Sequence, residues 1–145
     1  MRLTEELIAY GHPNVTAKHP TTFEITRDPE LTKRGDCVIA VRSTKGPKDL
    51  STDFKHLCRN DETRIILELR VNGFVESIEG RGSHRLTLNH WSDMVGRTST
   101  HISDRTVMIR ADKAACDIDR DLIHTLHSSR KKVLVRITAE LYGIT

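Results

Sequence analysis

Aromatic residues are scarce: Phe, Trp and Tyr make up 4% of the 145 residues, which argues against a single-strand nucleic-acid platform, where bases stack on exposed rings. No apolar run approaches the ~20 residues of a bilayer-spanning helix. The opening stretch MRLTEELIAYGHPN sets Glu5 and Glu6 where a secretory leader would carry a basic and then an apolar region. The expectation is a cytoplasmic protein with no membrane partner. Cysteine amounts to Cys37, Cys58 and Cys116, an odd number without CxxC spacing. That argues against a disulfide framework and a cysteine-rich zinc site, and predicts reduced thiols packed as small hydrophobes. No GxSxG elbow, HExxH pair or P-loop glycine spacing is present. A strong charge of one sign is also missing, with 23 basic against 20 acidic residues and a net charge of +3, so an anionic partner is permitted but not required. Arg130, Lys131 and Lys132 form the one compact basic cluster, which reads as a solvated strand end ahead of VLVRI.

What the chain does have is an internal correspondence. Moving residues 36–50 by 68 positions onto 104–118 aligns Asp36 with Asp104, Arg42 with Arg110, Lys45 with Lys113 and Asp49 with Asp117, four identities where average residue usage gives about one. An offset of 71 aligns Gly11 with Gly82, Thr16 with Thr87 and His19 with His90. The change of offset places a three-residue deletion between TRDPELTKRG and RTSTHIS, where a loop loses residues at small cost. Two pseudo-repeats result, at about 11–72 and 82–142 of a single domain spanning 1–145, a size that buries about two thirds of the unfolded chain's surface without help from a cofactor.

Periodicity predicts the elements. NVTAKH and TTFEIT alternate as half-buried strands, and CVIAVRS is a nearly continuous apolar strand. Leu50, Phe54, Leu57 and Cys58 make the stripe of a helix over 48–59, with Pro47 at its first turn. TRIILELRV is again a strand, and Asn72-Gly73 predicts a hairpin into FVESIE. The second unit repeats the order with RLTLNH, DMVGRT, TVMIRA, a helix through Ile118, Leu122 and Leu126, and KVLVRITAELY. TEELIAYG fits a short helix or an edge strand. The expected class is α+β, an internal duplication of a three-strand, helix, strand unit forming a mixed sheet or partly closed barrel with helices packed on it. The strand–helix–strand segments predict a right-handed crossover between parallel strands of one sheet.

The candidate residues follow from what both units keep. His12, His19 and His90 stand near strand ends, with His84 six residues before His90, and together with Asp36 or Asp93 they suggest a pseudo-symmetric seam for metal binding or acid–base chemistry near neutral pH. The plainer reading gives each imidazole a backbone carbonyl to bond, with no metal bound. Asp36 and Asp104 sit in the turns RGDC and ISDR, where a carboxylate either caps the turn or faces a ligand. Arg42 and Arg110 end apolar strands and call for bidentate acceptors. Lys45 and Lys113, with Asp49 and Asp117, lie at strand-to-helix junctions, which serve either as architecture or as an anion site. The segment EGRGSHR at 79–85 is read as a mobile loop or a tight turn.

GHPNVTAKHPTTFEIT, LTKRGDCVIAV and RTVMIRADKAACDIDRDL resemble a small, mostly archaeal family, domain of unknown function 371, over nearly the whole chain. The resemblance implies a stand-alone cytoplasmic protein and supplies no catalytic residue. Where that family tends to carry ADK in the first unit, this chain reads STK at 43–45, so an acid at Thr44 is not essential to a site shared by both halves. The expected function is a small binding module for an anionic ligand or nucleic acid through Arg42, Lys45, Arg110 and Lys113. The alternatives are a metal-assisted or histidine-dependent hydrolytic enzyme and a structural homodimer.

Overall fold

Eight strands and two short helices make up residues 1–143, the part of the chain that the computed structural model describes. The strands are β1 (Arg2–Tyr10), β2 (Thr22–Ile25), β3 (Val38–Ala40), β4 (Arg64–Val71), β5 (Phe74–Arg81), β6 (Met94–Arg97), β7 (Thr106–Met108) and β8 (Lys132–Glu140). Helix α1 (Thr52–Cys58) follows β3 and helix α2 (Arg120–Thr125) follows β7, each after a one-turn 3-10 segment, Pro47–Asp49 or Ala115–Asp117.

The strands form two four-stranded sheets. The first runs β1-β8-β4-β5 with every pair antiparallel. In the second, β3-β2-β6-β7, the central pair is antiparallel and the outer pairs β2/β3 and β6/β7 are parallel. The sheets meet through two isolated bridges, Tyr10 with Val41 and Arg81 with Ile109. Alternation decides what lies between them: Ile65, Leu67, Leu69 and Val71 of β4 and Val133, Val135, Ile137 and Ala139 of β8 are buried, while Arg64 and Arg70 face outward. Phe23, Phe54, Leu57, Leu122, Ile123 and Leu126 complete one continuous core, each large side chain contributing roughly 1.5–3 kcal/mol by leaving water.

The predicted α+β class holds, with corrections. There is no closed barrel; the strands divide into two sheets. NVTAKH and RLTLNH are not strands, because Ala17 and Leu88 take the left-handed conformation, at φ 48° and 52°, which breaks a period-two path. Of the two readings of the N-terminal stretch the edge strand holds, as β1 at one side of the first sheet. Neither crossover joins parallel strands of one sheet, since β3 and β4 belong to different sheets, as do β7 and β8. The helix expected over 48–59 is interrupted at Leu50, which is extended at φ −68°, ψ 151°. The Asp49 carboxylate accepts the Gly46 N–H at 2.9 Å and caps the start of the 3-10 turn, and the Ser51 hydroxyl accepts the Phe54 N–H at 3.2 Å to start a new helix. Asp117 and Asp119 do the same for α2. The hairpin forms as predicted, with Asn72 at φ 51° and Gly73 at φ 88° and Val71 paired with Phe74.

Candidate functional site

A cleft of about 550 Å³ opens at the corner where β5 meets the strand end after β7. Arg81 and Ile109 exchange both backbone hydrogen bonds there, at 2.8 and 3.0 Å. The next residue, Arg110, is left-handed at φ 52°, a conformation costing a non-glycine residue about 1 kcal/mol. Its N–H donates to the Ser99 carbonyl at 2.9 Å, which helps hold the turn. After Arg81 the chain passes through Gly82, where a Cβ would come within 2.2 Å of the Cys58 carbonyl oxygen. Only glycine allows that approach, and it brings Ser83, His84 and Arg85 into the lining of the cleft together with Asp61 and Glu62.

Arg81, Arg85 and Arg110 all line the cleft, and none of the three forms an ion pair with a carboxylate among the described residues. Of the two facing carboxylates, Asp61 is engaged by His84: its Oδ1 accepts the His84 N–H at 2.8 Å and lies 2.9 Å from the ring Nδ1. That backbone N–H, followed by the ring contact, holds the Asp61 carboxyl below its usual range. Glu62 lines the same cleft and forms no ion pair among the described residues. The corresponding corner of the other half is closed differently: Tyr10 stands where Arg81 stands, and the Arg42 guanidinium lies 4.1 Å over its ring.

A second cleft of about 570 Å³ carries Lys18, Lys33, Arg120, His124 and His127. Its arginine is already committed, donating to the carbonyls of Ala17, Ala115 and Ile118, and His127 Nε2 donates to the Val15 carbonyl at 2.9 Å.

A polar cluster crosses the centre of the second sheet. Arg105 bridges Glu24 at 3.5 Å and Asp93 at 3.2 Å, and Asp93 accepts the Thr26 hydroxyl at 2.7 Å. Burial and then the nearby Asp93 charge push the Glu24 carboxyl up. Burial would do the same to Asp93, but hydrogen bonds from Thr26, Ser92 and Arg105 outweigh it and hold that carboxyl below its usual range. Burial and the Glu24 charge push the Cys37 thiol up to about 11.

The candidates named from sequence scatter. Arg110 and His84 line the arginine cleft. Lys45 and Lys113 do not await an anion: they pair with Glu5 at 3.8 Å and Glu76 at 3.1 Å on the first sheet. Asp36 and Asp104 do not cap turns with their carboxylates; instead the Asp36 carbonyl accepts the N–H groups of Lys18 and His19, and the Asp104 carbonyl accepts the Thr87 hydroxyl. His12, His19 and His90 form no shared seam and bond no carbonyl through their rings. Each Nδ1 accepts a backbone N–H two residues on, from Asn14 at 3.0 Å, Thr21 at 3.2 Å and Ser92 at 3.1 Å, with Asp93 N–H also on His90. The His19 and His90 carbonyls receive the N–H groups of Cys116 and Lys48, tying each half to the other's 3-10 turn. Among the described residues no three His, Cys, Asp or Glu side chains are grouped to hold a metal ion. Sequence reasoning missed Asp61, Arg81 and Arg85 as lining residues; the signal for the two arginines lies in EGRGSHR, whose glycines mark a close backbone approach. The cysteines also divide: Cys58 is buried, Cys37 half-buried and Cys116 exposed, so Cys116 is not packed as expected.

Fold and cleft together define an α+β domain of two four-stranded sheets with an arginine-lined cleft at one sheet junction. The chain belongs to the family described as Domain of unknown function (DUF371), whose model matches residues 7–140. It is 42% identical over 125 residues to Uncharacterized protein MJ0206 of the archaeon Methanocaldococcus jannaschii, covering 86% of this chain and 92% of that one. No helix among the described residues is long and apolar enough to cross a membrane.

Proposed function

We propose that the protein is a binding module for a small anionic ligand, with Arg81, Arg85 and Arg110 as the recognising groups. The observation that carries this reading is that three arginines line one cleft and none of them is ion-paired to a carboxylate among the described residues, Asp61 and Glu62 of the same lining included. Like charges brought together repel, and a planar fork of donors matches phosphate or carboxylate oxygens bidentately, so an anion both relieves the repulsion and satisfies the donors. Lys45 and Lys113, already neutralised, fall outside the site.

The experiment is thermal unfolding with increasing inorganic phosphate, pyrophosphate or a dicarboxylate, set beside binding of short RNA and DNA at several salt concentrations. At about one hundred times Kd a ligand stabilises the fold by roughly 2.7 kcal/mol, and Arg81→Ala or Arg110→Ala removes most of that. A steep loss of oligonucleotide affinity with salt, centred on the same arginines, redirects the reading to nucleic acid. No protection by any anion and no oligonucleotide binding defeats it.

We also infer that the halves are copies of one unit. The support is positional: Arg42 and Arg110 are both left-handed, as are Ala17 and Leu88 at the other offset. Gly11 meets the Leu126 carbonyl as Gly82 meets that of Cys58, and Lys45–Glu5 matches Lys113–Glu76.

A further inference from the structure

His84 differs from His12, His19, His90 and His127 in which ring nitrogen it has committed. The Asp61 carboxylate oxygens lie 2.9 and 3.2 Å from its Nδ1. A carboxylate only accepts, so Nδ1 carries the hydrogen, and the neutral ring holds its lone pair on Nε2. In His12, His19 and His90 the Nδ1 accepts a backbone N–H, so the neutral ring has its hydrogen on Nε2 and no lone pair there. His127 donates from Nε2 as well. His84 and Asp61 are also accessible, with side chains 70% and 59% exposed, and both line the arginine cleft.

We propose that His84 is a phosphoacceptor, taking a phosphoryl group on Nε2 from a small acyl phosphate held by Arg81, Arg85 and Arg110. This rests on the anion-binding reading of the same cleft and adds a covalent step to it. The Nε2 lone pair forms the N–P bond as the P–O bond to the acyl group breaks, and the carboxylate leaves with the bonding pair. No proton has to move. The ring becomes positive, and Asp61, still bonded to Nδ1–H, is the charge that offsets it. The arginines offset the phosphoryl oxygens, where negative charge is spread during transfer. Discharge needs only water: its oxygen attacks phosphorus, the N–P electron pair returns to Nε2, and both water hydrogens leave on orthophosphate.

The test is incubation of the full chain with acetyl phosphate, read by peptide mass spectrometry and by a 31P resonance that is lost in acid and stable in base. One phosphoryl group per chain is expected, on the peptide holding His84. His84→Gln should abolish it, Asp61→Asn should slow it roughly tenfold or more, and His101→Gln should leave it unchanged. Circular dichroism and the thermal midpoint confirm that each variant folds. Label on another residue, label surviving in His84→Gln, or equal rates with Asp61→Asn overturns the assignment. Protection by inorganic phosphate without any label overturns the phosphoacceptor and leaves the anion cleft standing. Absence of both label and protection removes both.

Discussion

Arg81 and Ile109 exchange a pair of backbone hydrogen bonds at 2.8 and 3.0 Å, and Arg81 and Arg110, the residue after Ile109, both line the cleft. The same exchange joins Tyr10 and Val41, both at 2.8 Å, and there Arg42 settles on an aromatic ring. One corner of the fold is closed and the other is open, although their backbones match.

That contrast gives a first prediction. Arg110→Gly relieves about 1 kcal/mol of left-handed strain and adds about 0.5–1 kcal/mol of backbone freedom to the unfolded chain, so chemical denaturation should show little net change. Protection by phosphate should fall sharply. Arg42→Gly, which also gives up the contact with Tyr10, should cost roughly 0.5–1 kcal/mol more than Arg110→Gly.

Gly82→Ala and Gly11→Ala should each destabilise the fold by about 2–3 kcal/mol or more, since backbone rather than a movable side chain opposes the new methyl. The obstructing atoms are the Cys58 oxygen at 2.2 Å and the Leu126 oxygen at 2.3 Å. Urea unfolding of each variant measures this. A loss below 0.5 kcal/mol, the range of ordinary surface changes, would contradict the close approach.

Glu24 and Asp93 should give stability profiles of opposite slope. The Glu24 carboxyl is raised above its usual 4.5, so the folded state binds that proton more tightly than the unfolded state. Its contribution therefore falls as pH rises from about 4.5 through the folded value. Asp93 is held below its usual 3.8, so its contribution is present above that pH and is lost as pH falls through the folded value. Accordingly Glu24→Gln should gain stability relative to wild type as pH rises, and the stability lost in Asp93→Asn relative to wild type should shrink as pH falls. Denaturation midpoints at a series of pH values test both signs.

Thiol reagents should separate the cysteines. Burial pushes the Cys58 thiol up to about 12, and burial with the Glu24 charge takes Cys37 to about 11. Cys116 is exposed. In the native state a disulfide reagent should label Cys116 first and Cys58 only after unfolding, because only the thiolate reacts and only when it is reached. Quantitative labelling of the native state at Cys58 would show that α1 opens freely.

Much of the scaffold was legible in the sequence. The pairs Gly11/Gly82, Asp49/Asp117 and Lys45/Lys113 each mark one structural device used twice: a carbonyl contact, a turn cap and an ion pair to the first sheet. Three things were not legible. Ala17 and Leu88 adopt a left-handed backbone that neither residue type signals, so the alternation of their neighbours read as strands. The cleft, meanwhile, lies where the halves differ. Arg81 holds the bridge position that Tyr10 holds at the other corner, and a search for residues common to both segments looks past it. Pairing across long separations, as between β1 and β8, also leaves no local trace in composition.

The order β1-β8-β4-β5 has a consequence for how the chain must fold. Neither half completes a sheet by itself: β1 has its neighbour only when β8 arrives, and β4 lies between β8 and β5. Loop-closure entropy is therefore spent before most strand contacts repay it, and folding should be slow for a domain of this size. The Asn72-Gly73 hairpin is the local pairing within the first sheet, which makes it the natural nucleus, with the outermost strand β1 joining last.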